Sequence, residues 1–192
     1  MIIKQAKEEF ITQLKKGDPD EFEWLFDHVL ELEKWTNFMF KKYKKQGEKL
    51  DLEILMLGVW LHDIGYSVHD CIDHATISYG IAKKFLESKK YPVDKMQRVL
   101  HCVRSHRCKD VMPETFESKL FACADSASHL TDKVYIKILH KEKDKNSKGT
   151  IALEKLERDY RDLKNFKEIQ KELKPLYLTW KKLLTKIKAF DL

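Results

Sequence analysis

Glycine and proline are scarce in this chain, six and four among 192 residues. Between them there is no regular succession of short alternating apolar–polar segments closed by turns. A sandwich or barrel of strands needs both features, so that class is excluded and an all-α fold is predicted. Cysteine is also sparse. Cys71, Cys102, Cys108 and Cys123 form no CxxC pair, which excludes a zinc ribbon and a thioredoxin-type motif and leaves reduced thiols that pack. No apolar run approaches bilayer length, and "MIIKQAKEEFITQLKKG" lacks the apolar centre of a signal peptide, so a cytoplasmic protein with no membrane partner is expected. Charge of one sign is lacking over most of the chain: residues 1–140 hold 22 basic and 22 acidic side chains, and residues 141–192 hold 15 and 9. The excess of +6 therefore belongs to the tail, where solvated lysine faces explain it with less than a nucleic-acid surface would.

What the chain does have is apolar side chains at helical spacing. "KGDPDEFEWLF" reads as a helix start, with Asp18 as cap, Pro19 in the first turn and Glu21 at capping-box distance. In the helix beyond, Trp24, His28, Glu31 and Trp35 recur every three or four residues, which turns His28 inward. "DLEILMLGVWLHD", residues 51–63, is an almost unbroken apolar helix for the centre of a bundle, with Gly65 expected to end it. A helix beginning near Asp73 or His74 stops before Pro92, and the next carries Val99, Val103 and His106 on one stripe with His101 turned away. In "ESKLFACADSASHL", Asp125 stands among small apolar residues, a costly place for a carboxylate unless something pairs with it. After "KEKDKNSKGT", residues 141–150, a stripe from Leu153 to Leu173 predicts an amphipathic helix that Pro175 interrupts, followed by a last helix presenting Trp180, Leu183, Leu184 and Ile187.

The ionisable residues on these helices form a series. His62 and Asp63 are adjacent and so point about 100° apart on a helix. They can share an ion only beside the helix or at its end, with other helices supplying further ligands, and His28 and Asp125 are the natural suppliers. Imidazole with carboxylate suits Mn, Fe, Co, Ni or Zn, or Mg with added water.

The order His28, His62-Asp63, Asp125 resembles the HD-domain superfamily of metal-dependent phosphohydrolases. "FDHVLELEKW" looks like its first histidine helix, "WLHDIGY" like its defining motif, "HATISYGIAKKFLE" and "VLHCVRSH" like its later histidine segments, and "ACADSASHL" like its distal Asp segment. The resemblance implies an all-α bundle in which His28, His62, Asp63 and Asp125 hold a divalent ion. His74 and His106 would then hold a second ion or touch substrate, with Asp63 bridging. Many members write two aspartates in the distal segment, whereas Cys123 precedes Asp125 here. The implied reaction is hydrolysis of a nucleotide or other small phosphate ester by metal-activated water, with one or two ions per chain. Asp63 or His74 would handle the proton, and Arg104 or Arg107 would contact the phosphate. Two other readings fit the same residues: a di-iron oxygenase with the same six-ligand order, and a non-catalytic nucleotide sensor. Residues 1–140 are expected to form the HD-type metal-binding domain, and residues 141–192 a helical extension packing on it or on another subunit, which allows a homodimer. His69, His129 and His140 are expected at the surface or behind the ligands.

Overall fold

The chain forms nine α-helices and no strand among the described residues, in the order α1 (Ile2–Leu14), α2 (Pro19–Lys45), α3 (Leu52–Leu61), α4 (His74–Ser88), α5 (Val93–Ser105), α6 (Phe116–Thr131), α7 (Val134–Lys141), α8 (Thr150–Asp162) and α9 (Lys167–Ala189). This all-α architecture is that of a computed structural model, which describes residues 1–17, 19–68, 73–141 and 149–189, without the side chains of 19–21. Asp18, His69, Cys71 and the capping-box side chain of Glu21 lie outside the described residues. No helix among them is long and apolar enough to cross a membrane. The chain divides into two compact units, Met1–Asp125 and Ser126–Leu192.

In the first unit, α3 is buried on every side from Ile54 to Leu61 and packs against α1, α2 and α5. Its sequence, LEILMLGVWL, has no polar stripe to offer water, and so a central position is the only stable one for it. Each fully buried Leu or Ile there contributes about 1.5–3 kcal/mol relative to exposure. The helix starts where Asp51 accepts a hydrogen bond from the Glu53 amide at 3.0 Å. That start is pinned in turn, because buried Glu117 accepts the Asp51 amide at 2.7 Å and the Arg98 fork at 2.6 and 2.9 Å. At the far end Phe10 of α1 meets Trp60 edge to face with centroids 5.8 Å apart.

Gly65 does not end α3 as a left-handed cap. The helix stops at Leu61, Asp63 takes φ −110° and ψ 9°, and Gly65 lies within a 3-10 turn, Ile64–Ser67. Glycine is needed there for a different reason. A Cβ at this position would stand 2.4 Å from the His74 carbonyl oxygen and 2.8 Å from Ser78 Oγ, and the Gly65 amide donates to that Oγ at 2.8 Å. The absent side chain lets the start of α4 lie directly on the turn that follows Asp63. Gly65→Ala is therefore expected to push α4 away and cost about 1–3 kcal/mol, measured by denaturant unfolding. A variant as stable as the wild type would show that the contact yields freely.

In the second unit α8 packs against α7 and α9. The predicted stripe is buried at Leu156, Leu163, Phe166, Ile169 and Leu173, and it continues through Tyr177 and Leu184. The break in it falls earlier than Pro175. A 3-10 turn at Leu163–Asn165 and an extended Phe166, φ −127° and ψ 73°, separate α8 from α9, and Pro175 sits inside α9. The helix runs through because burial of Leu173, Tyr177 and Leu184 on one face outweighs the single backbone donor that proline lacks. Pro175→Ala is accordingly expected to stabilise this unit by about 1–3 kcal/mol, read as a raised melting temperature by circular dichroism; a lowered one would contradict this account.

The same unit encloses a polar group of four side chains, of which Tyr135, His129 and Asp159 are buried and Lys155 is partly exposed. Asp159 accepts from the Tyr135 hydroxyl at 3.0 Å and from Lys155 Nζ at 3.1 and 3.0 Å, with His129 Nδ1 at 3.4 Å. Burial alone would raise the Asp159 pKa, but the Lys155 and His129 charges and their hydrogen bonds outweigh it and hold the carboxyl at about 2. His129 is thus buried in a polar network and not at the surface, while His140 is exposed.

Candidate metal centre

Six side chains from five segments of the first unit converge. His28 comes from the middle of α2, buried as its aromatic face requires, with the Trp24 ring stacked beside it at 5.9 Å. His62 and Asp63 occupy the end of α3, where the chain leaves helical geometry at Asp63, and this resolves how neighbours in sequence can face one point. His74 opens α4, His106 follows the last turn of α5, and Asp125 lies within α6. Five of the six are at most 5% exposed. His74 is the open one, its side chain 16% exposed.

Their ligand atoms form two triangles. In the first, His28 Nε2 is 3.3 Å from His62 Nε2 and 3.2 Å from Asp125 Oδ1, and His62 Nε2 is 3.7 Å from the same oxygen. In the second, Asp63 Oδ1 is 3.3 Å from His74 Nε2 and 3.6 Å from His106 Nε2, and the two nitrogens are 3.2 Å apart. The other oxygen of Asp63, Oδ2, faces the first triangle, 3.3 Å from His62 Nε2 and 3.9 Å from His28 Nε2. Asp63 thereby joins the two.

These spacings fit a divalent ion. Ligand atoms about 2.1 Å from one ion lie about 3.0 Å apart at right angles and about 3.4 Å apart at tetrahedral angles. The tautomers fit as well. His62 Nδ1 donates to the Val59 carbonyl at 3.0 Å and His106 Nδ1 to the Val103 carbonyl at 2.7 Å. That assignment, made from the hydrogen-bond geometry, leaves each Nε2 lone pair aimed into the cluster. Asp63 Oδ1 is buried and accepts no hydrogen bond among the described residues, an expensive condition that a cation relieves.

The electrostatics favour positive charge at the first triangle. Burial works against a charged His62, yet the Asp63 and Asp125 carboxylates outweigh it and raise its pKa. Burial likewise opposes ionisation of Asp63, but His62, through its charge and its hydrogen bond, is foremost in holding the carboxyl well below the usual range. At the second triangle burial dominates: it pushes His106 down to about 3, helped by His62, and lowers His74, helped by Arg107. Both imidazoles are therefore neutral at pH 7 and carry the lone pairs that ligation requires.

Arg107 and Arg104 are both committed to carboxylates. Arg107 Nη1 donates to Asp73 at 2.7 Å, and Arg104 Nη2 donates to Asp110 at 3.1 Å. His101 is turned away, as its position predicts, and its Nε2 accepts the Glu114 amide at 3.2 Å. Cys123 is fully buried, as is Cys102, whose thiol pKa burial pushes up, so Cys102 packs as a neutral group. Sequence reasoning missed the supports. Tyr66 stacks on His74 at 4.4 Å, Phe121 abuts His62 at 5.7 Å where Gly58 makes room for its ring, and Ser78 pins the turn after Asp63. Only the last had a visible signal, a glycine two residues after the Asp.

The family model described as "HD domain" matches residues 25–130, more than half of the chain. The chain therefore belongs to the HD-domain family, within a superfamily of proteins that are generally metal-dependent phosphohydrolases. An uncharacterised protein of Methanocaldococcus jannaschii is 33% identical to this chain over 126 residues, which cover 62% of this chain and 48% of that protein. The chain thus spans about half the length of that relative. No solved structure matches the chain significantly.

Proposed function

We propose that the protein is a metal-dependent phosphohydrolase that cleaves a nucleotide or other small phosphate ester. His28, His62, Asp63 and Asp125 would hold one divalent ion, and Asp63, His74 and His106 a second. The observation that carries this reading is Asp63, whose two oxygens each face a separate triangle of ligand atoms. A divalent ion held at such a set supplies Lewis acidity toward a phosphoryl oxygen and lowers the pKa of a coordinated water toward about 7.

The chain's own groups supply the rest. The carbonyls of Val59 and Val103 fix the rings of His62 and His106, so their Nε2 atoms do not reorient during turnover. His74 sits on the open side with a depressed pKa, so its Nε2 holds a lone pair at neutral pH. That nitrogen would accept the proton of the attacking water where a single ion is held, and would itself help to hold a second. Arg107 is near enough for its charge to act on His74, which suits it to steady a substrate phosphate. No serine or cysteine nucleophile is required. In this reading residues 1–140 are the metal-binding domain of a cytoplasmic protein, and residues 141–192 an extension available for pairing with a second copy.

The same six donors support a second reading, a di-iron oxygenase. One experiment separates them: elemental analysis of freshly purified protein together with a panel of phosphate esters and an oxygen electrode. Mn, Ni, Co or Mg with phosphate release is expected. Two irons with oxygen consumption and no phosphate would replace hydrolysis by oxidation, and a metal-free protein inert under all metals would end both.

A further inference from the structure

His74 and His106 come from different helices, and each adjoins a charged residue in the chain, Asp73 before the first and Arg107 after the second. These two neighbours are bonded to each other, Arg107 Nη1 to Asp73 Oδ1 at 2.7 Å. The link ties together the chain on either side of two imidazoles whose Nε2 atoms are 3.2 Å apart. Asp73 has a further task. Its carboxylate accepts both the amide and the hydroxyl of Thr76 and so caps α4, the helix that His74 begins. Arg104 approaches the same carboxylate at 4.0 Å while bonded to Asp110.

A guanidinium carries five N–H donors in a rigid planar fork, and the bond to Asp73 occupies one nitrogen. The Arg107 side chain is 26% exposed, and its charge reaches His74, the member of the cluster that faces outward. An arginine free to rotate would lose that freedom whenever it engaged an anion, whereas one already fixed would not.

We propose that Asp73 is a positioning residue for the substrate phosphate: it holds the Arg107 guanidinium at the start of α4, which His74 opens, so that the remaining donors of the fork take a phosphate oxygen. This rests on the phosphohydrolase reading above and names the group through which that site distinguishes a phosphate ester from a neutral ligand.

Asp73→Asn is the discriminating variant, because asparagine caps a helix as well as aspartate does but binds a guanidinium without charge. Steady-state hydrolysis is expected to show KM raised about ten-fold with kcat within about three-fold of wild type. In an Arg107→Ala background the same substitution should change KM by less than about two-fold, since the residue it positions is gone. Titration calorimetry of the Mn-loaded protein with inorganic phosphate provides a readout independent of turnover, and Asp73→Asn should weaken that binding at least about five-fold. A KM that falls would make Asp73 a competitor of the phosphate, and unchanged KM and phosphate affinity would reduce it to a helix cap; either overturns the proposal. Should the wild type hydrolyse no ester yet bind phosphate in an Asp73-dependent way, the hydrolase reading fails and the role of Asp73 stands. If the wild type does not bind phosphate at all, the role of Asp73 falls too.

Discussion

Asp63→Ala is expected to lower ester hydrolysis by about a thousand-fold or more, close to the limit of detection. The reason lies in what that one side chain joins. Removing it takes an oxygen from each triangle at once, Oδ2 from His28 and His62 and Oδ1 from His74 and His106. The cluster then has four imidazoles and the single carboxylate of Asp125, so it also loses half of the negative charge that offsets a divalent ion. Metal content after gel filtration should fall in parallel, and this second readout separates loss of the ion from damage to the substrate site. Asp63→Asn keeps the shape and loses the charge, and it should behave nearly as badly. An Asp63→Ala protein with full metal content and a wild-type rate would remove Asp63 from the mechanism.

Asp159→Ala is expected to produce the largest loss of stability, about 3–5 kcal/mol, by leaving Lys155, whose side chain is only 16% exposed, without its carboxylate and the buried Tyr135 hydroxyl without its acceptor. The milder Asp159→Asn isolates the charge. A carboxyl held at about 2 when folded, below the 3.8 of the unfolded chain, contributes stability that is fully present above about pH 4 and is lost as pH falls through 2. The gap of nearly two units corresponds to about 2 kcal/mol. Wild type and Asp159→Asn should therefore differ in denaturant unfolding at pH 7 and converge near pH 2. A gap that persisted unchanged in acid would mean that the substitution acts through shape and not through charge.

The helices and the ligand series were legible because both depend on local spacing. Trp24, His28 and Trp35 recur on one face, and that alone turns His28 inward, where the structure has it at 1% exposure. An apolar run with no polar side, from Leu52 to Leu61, could only be central. The boundaries that were misplaced depend on contacts distant in sequence. Gly65 resembles a helix cap locally, and its role becomes visible only when His74 and Ser78 are brought against it. Pro175 resembles a break, but the burial of Leu173, Tyr177 and Leu184 carries the helix past it. The division of Asp63 between two triangles was likewise beyond spacing rules, since it depends on the backbone leaving the helix at φ −110° and ψ 9°. Asp73 had a readable signal as a cap three residues before Thr76, but its bond to Arg107 spans 34 positions in the chain.

Side chains from separate helices are proposed to meet around divalent cations, with Asp63 shared between them. Anomalous diffraction from crystals of the Mn-loaded protein would locate those cations. Two peaks about 3.5–4 Å apart are expected, one bounded by His28, His62 and Asp125 and the other by His74 and His106, with Asp63 between. No peak within this cluster, or one held by residues elsewhere in the chain, would contradict that arrangement.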